Sequence, residues 1–98
     1  MTVDELRKED TLILTVNGKI DVHSSDDFTK ILLHSFQKTK NLVIDMAHVE
    51  YVSSAGLRAF MLGQKTAMGK GASFSLVNVP DTVKDIFHVT GFDKLLNY

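Results

Sequence analysis

The run Leu42-Val43-Ile44-Asp45-Met46, near the middle of the chain, is almost unbroken in its apolarity and of strand length. That pattern is the signature of a strand covered on both faces, so these residues are expected to form the centre of a sheet. The rest of the chain must supply its neighbours. Thr11 to Val16 alternate, placing Leu12, Leu14 and Val16 on one face of a second strand and Thr11, Ile13 and Thr15 on the other. Val3 to Lys8 reads as a further strand, Glu9-Asp10 as the tight turn between the two, and Asn17-Gly18 as the close of the Thr11 strand.

Helical spacing separates the strands. Phe28, Ile31, Leu32 and Phe36 recur at three- and four-residue intervals, with Ser24 or Ser25 as the cap and Asp26 and Asp27 in the first turn, where carboxylates face the positive end of the helix dipole. This helix is expected to end before Asn41. A second apolar stripe, Leu57, Phe60, Met61, Gln64 and Met68, starts after Ser53-Ser54 and stops at Gly69-Lys70-Gly71. Ala72 to Val79 reads as a strand with Phe74 and Leu76 on one face. Pro80-Asp81 then opens a third helix, with Val83, Ile86 and Phe87 inward, which Gly91 ends. The tail, Phe92 to Leu96, is apolar enough to dock as a helical turn or an edge strand. Strands joined through helices become parallel neighbours, whereas the opening hairpin is antiparallel. The expected class is α/β: a small mixed β-sheet of four to five strands with an opening antiparallel hairpin and helices mainly on one face.

The 98 residues suffice for one domain, expected to span 1–98. Eleven Lys and Arg against twelve Asp and Glu, with no basic block, disfavour a nucleic-acid partner. The absence of cysteine removes disulfides and thiolate metal sites and suits a reducing cytosol. The start, Met1-Thr2-Val3-Asp4-Glu5, is acidic where a signal peptide is basic, and no apolar run approaches the ~18 residues of a membrane span. A cytoplasmic location without direct membrane contact is the expectation.

In open sheets of this kind, ligands and partners favour the carboxyl ends of the strands. Two segments qualify there: Gly18 to Ser24 after the second strand, and His48 to Leu57 after the apolar third strand. Both carry serines at a helix start. Read from the residues alone, Ser54 is first an N-cap, accepting a bond from a free backbone N–H. Gly56 first allows close helix-to-sheet packing, Leu57 is core, and Arg58 points to solvent. Gly69-Lys70-Gly71 closes a helix instead of opening one and is a C-cap. His23, His34, His48 and His88 lack metal-ligand spacing on one element, so neither metal nor cofactor is expected. Ser54 has no Gly-x-Ser-x-Gly elbow and no identifiable base, which argues against an enzyme.

Taken together, Leu42-Val43-Ile44-Asp45-Met46, the spacer to Tyr51-Val52-Ser53-Ser54-Ala55-Gly56-Leu57-Arg58, the earlier Gly18-x-Ile20-Asp21 and the late Thr90-Gly91-Phe92 resemble a STAS domain of the bacterial anti-sigma factor antagonist family. The resemblance spans nearly the whole chain and implies the STAS fold. Its most specific element is Ser-x-Gly-Leu at a strand-to-helix junction, where family members carry a serine phosphorylated by a partner kinase. By position, the implied phosphosite is Ser54. The chain departs from the family pattern in having Ser53 for the preceding Asp and Ala55 for the following hydroxyl residue, which makes Ser53 an alternative acceptor. Asp21 matches a loop that belongs to the family's partner-binding surface, with His23 and Ser24 beside it. Ser53, Ala55, Gly56 and Arg58 complete the expected surface.

The function implied by the resemblance is partner switching. The unphosphorylated domain binds an anti-sigma factor of the ATP-dependent serine kinase type, phosphorylation at Ser54 releases it, and a PP2C-type serine phosphatase resets it. ATP and Mg²⁺ belong to the kinase. The alternative is a stand-alone STAS subunit or scaffold of a membrane transport or signalling complex. Small-molecule or nucleotide binding in the loop crevice rests on fold analogy alone.

Overall fold

A computed structural model describes all 98 residues. Strands β1 (Thr2–Lys8) and β2 (Thr11–Ile20) form the hairpin, followed by α1 (Ser25–Ser35), β3 (Asn41–Val52), α2 (Ser54–Lys70), β4 (Ser73–Val77), α3 (Asp81–Thr90) and a closing 3₁₀ turn, Phe92–Lys94. The four strands lie in the order β1-β2-β3-β4, with the hairpin antiparallel and the other two pairings parallel. Glu9 takes a positive φ of 59° to close the hairpin turn.

Leu12, Leu14 and Val16 of β2, Leu42, Ile44 and Met46 of β3, and Phe74 and Leu76 of β4 are buried on one face. Against this face pack Phe28 and Leu32 of α1, Leu57 and Phe60 of α2, and Val83 and Phe87 of α3. The rings of Phe28, Phe60 and Phe87 meet edge-on, with centroids 5.1 and 5.9 Å apart, and so join the three helices. Such aromatic pairs each add about 0.5–1.5 kcal/mol beyond the area they bury.

The structure corrects several expectations. The central strand is covered on one face only: Val43 and Asp45 stay half-exposed while their neighbours are buried. Asn17-Gly18 does not close β2, which runs on to Ile20. The segment expected to be a loop from His48 to Val52 is the second half of β3. There Thr15 pairs with Asp45 but Asn17 with His48, and Gly18 with Val49 but Lys19 with Tyr51, so β3 carries one extra residue at each step. Each bulge resets the inward direction, and Met46, Val49 and Val52 all remain buried at a spacing of three. Gly18, at φ +98°, sits at the second bulge in a conformation that a side chain would strain. In α2 the inward stripe is Leu57, Phe60, Gly63 and Ala67, whereas Met68 is 73% exposed. Gly71 ends this helix in the left-handed conformation as its C-cap.

Candidate functional site

The extended ends of β2 and β3 bring the two predicted segments to one place. Ile20 pairs with Val52, and one residue later the backbone N–H of Ser53 donates to the Ile20 carbonyl at 2.9 Å. The start of α2 is thereby fixed beside the turn that begins at Asp21.

Ser53 lies in the extended conformation and is the N-cap of α2: its hydroxyl accepts from the Gly56 N–H at 3.3 Å, and its carbonyl from Leu57 N–H at 2.8 Å. The capping role expected of Ser54 therefore belongs to Ser53. Ser54 is the first helical residue and is exposed, its hydroxyl free of the cap. The first amides of a helix lack intrahelical acceptors, so those of Ser54 and Ala55 remain open once Gly56 and Leu57 are satisfied. The first turn of α2 has no acidic residue, in contrast to Asp26 and Asp27 in α1 and Asp81 in α3. The positive end of the α2 dipole thus has no carboxylate of its own.

Gly56 is buried where α2 meets the strand ends. A Cβ there would stand 2.5 Å from the Ile20 carbonyl oxygen and 2.9 Å from Val52 Cγ1. Only glycine permits this approach. Ala55 is half-buried, Leu57 is buried, and Arg58 is exposed as expected.

The Asp21 turn is held by its own polar groups. Asp21 Oδ1 accepts from the His23 N–H at 2.9 Å, the Asp21 N–H donates to Ser24 Oγ at 3.0 Å, and Ser24 Oγ donates to the Lys19 carbonyl at 2.8 Å. Ser24 is the N-cap residue of α1, one of the two serines expected there, and its carbonyl accepts from Phe28 N–H at 3.0 Å, but the turn bonds engage its hydroxyl, which makes no side-chain cap bond. The His23 amide, with the His23 and Ser24 side chains behind it, holds the Asp21 carboxyl below the usual aspartate range. Val22 and His23 project from this turn, Val22 70% exposed. Tyr51, on the outer side of the β3 end, is 48% exposed. Sequence reasoning missed both apolar groups; Tyr51 was visible only as part of a presumed loop.

A depression of about 490 Å³ adjoins the turn, lined by Gly18, Lys19, Asp21, His23, Asp27 and Glu50 among others. It is open, and a single one of its lining residues is hydrophobic, unlike the apolar clefts that enclose small ligands. No three His, Asp or Glu side chains converge as metal ligands. No helix is long and apolar enough to cross a membrane.

The model of the STAS domain matches residues 3–98 of the chain. The anti-sigma-B factor antagonist of Bacillus subtilis is 26% identical over 97 residues, covering 99% of this chain and 89% of that protein. Among solved structures, a putative anti-sigma factor antagonist from Thermotoga maritima superposes with a TM-score of 0.89 at 18% identity, over 97% of this chain and 83% of that one. The Bacillus cell-fate determinant SpoIIAA in its phosphorylated form gives 0.74 at 13% identity, over 97% and 88%.

Proposed function

From the premise that the chain belongs to the STAS domain family, we propose that it is an anti-sigma factor antagonist that works by partner switching, with Ser54 as the phosphate acceptor. The observation that carries this reading is the division of labour between the two serines. Ser53 is held by Gly56 N–H and by Ile20, while Ser54 presents an uncommitted hydroxyl at the exposed start of α2. The name of the Bacillus subtilis relative and the phosphorylated form of SpoIIAA support it.

Unphosphorylated, the domain binds an anti-sigma factor that is also an ATP-dependent serine kinase. The contact surface combines Ser54 and Arg58 with the Asp21, His23 and Ser24 turn. Phosphorylation adds about −1.5 to −2 charges and three acceptor oxygens at the centre of that surface. The free amides and dipole of α2 accommodate the group without unfolding. The partner's facing surface, complementary to a neutral hydroxyl, is rejected by charge and desolvation, and a PP2C-type serine phosphatase restores binding.

Titration calorimetry of a genome-neighbour kinase of this type against wild type, Ser54→Ala and the phosphorylated protein tests the proposal. Tight binding of the first two and loss with the third is expected. Equal affinity for all three contradicts it and favours a constitutive subunit or scaffold of a transport or signalling assembly.

A further inference from the structure

The sheet face opposite the helices has no cover. Three rows cross it: Asp4, Thr15, Asp45 and Val77; then Leu6, Ile13, Val43 and Ser75; then Lys8, Thr11, Asn41 and Ser73. The middle row is apolar over three strands, with Leu6 61% exposed and Ile13 and Val43 half-exposed. Charges on the two sides of β1 are treated differently. On the helix side, Glu5 pairs with Lys38 Nζ at 2.8 Å and Arg7 donates to the Lys38 carbonyl at 2.8 Å. On the open side, Asp4 and Lys8 have no ion-pair partner within the chain.

We propose that this face pairs with the same face of a second copy, about a two-fold axis lying along the Leu6-Ile13-Val43 row. That operation reverses the strand direction while keeping β1 over β1. Leu6, Ile13 and Val43 meet their counterparts, and Lys8 of each copy falls on Asp4 of the other, giving two equivalent ion pairs. The other face-to-face arrangement, with the axis along the strands, lays the acidic row on the acidic row and Leu6 on Ser75. Charge and apolar match select the first, within the usual ~30° rotation of packed sheets. Strand and residue spacings make the patch about 400 Å² per copy, below the ~800 Å² of a standard interface, so the dimer is weak and forms at high concentration. The Ser54 end of α2 lies on the helix side of the sheet, so a kinase bound there leaves this face open.

Sedimentation equilibrium from micromolar to millimolar protein, with amide shifts followed by NMR, tests the pairing. Wild type is expected to dimerise with shifts centred on Leu6, Ile13 and Val43, and Leu6→Lys to remain monomeric. Lys8→Asp and Asp4→Lys should each lower association about tenfold, and the double exchange should restore it. All three positions are exposed sites on β1, and circular dichroism verifies that each variant is folded. A monomeric wild type at millimolar concentration, concentration-dependent shifts confined to the helix side, or a double exchange no better than the single ones overturns the proposal.

Discussion

The Ile20 carbonyl accepts a 2.9 Å bond from the Ser53 amide and lies where a Cβ on Gly56 would stand, 2.5 Å away. One backbone oxygen thus sets both the start of α2 and how near that helix comes to the Asp21 turn. The site's geometry depends on this contact more than on any side-chain bond within it.

Gly56→Ala is accordingly expected to be disruptive, because its Cβ meets a backbone atom and not the end of a flexible side chain. Overpacking of this kind costs about 1–3 kcal/mol. For a domain of this size each kcal/mol lowers Tm by about 4–8 °C. Thermal unfolding measures the loss, and an unchanged Tm would mean that α2 moves freely against Ile20.

Removing the cap and removing the acceptor should separate. Ser53→Ala loses the bond to Gly56 N–H and is expected to destabilise by about 1 kcal/mol. Ser54→Ala, exposed and outside the cap, should lie within about 0.5 kcal/mol of wild type. Urea unfolding of the two variants distinguishes them, and the reverse order would return the cap to Ser54.

Whether Ser53 or Ser54 capped the helix was not legible in the sequence, since adjacent serines have the same chemistry. The answer depends on a long-range bond from Ser53 to Ile20. The second half of β3 was hidden for a related reason. Two bulges give Met46, Val49 and Val52 a spacing of three, which matches neither strand alternation nor a helix. The apolar run of β3 identified the middle of the sheet but not the bare face, because Val43 is apolar whether or not a helix covers it. Met68 extended the α2 stripe on paper, yet it lies in the last turn, beyond the inward Ala67, and is exposed. What was legible were the element order, the hairpin, the helix ends at Gly71 and Gly91, and the two segments that converge at the site.

Asp21 should confer a pH dependence. Its carboxyl titrates lower in the folded protein than in the unfolded chain, so its contribution to stability is present above the ordinary aspartate range and is lost as pH falls through the depressed value. Glu5 beside Lys38 and Asp93 beside His88 act in the same direction. Asp21→Asn is therefore expected to lower the neutral plateau of a Tm-against-pH profile and to converge on wild type in acid, so that part of the acid limb is flattened. A profile parallel to wild type throughout would show that the turn does not need the charge.

A charge at position 54 should weaken the kinase complex without unfolding the domain. Ser54→Asp carries one charge and less bulk than phosphate, so a partial loss of affinity at unchanged Tm is expected, with part of it recovered at high salt. Wild-type affinity would count against an electrostatic origin of the release.

The most direct measurement is intact mass and peptide mapping after incubation with the neighbouring kinase, ATP and Mg²⁺. The account predicts a single added phosphate located on Ser54, and none on the Ser54→Ala variant. Phosphate on Ser53, or none on either serine from a kinase active on another substrate, would contradict it.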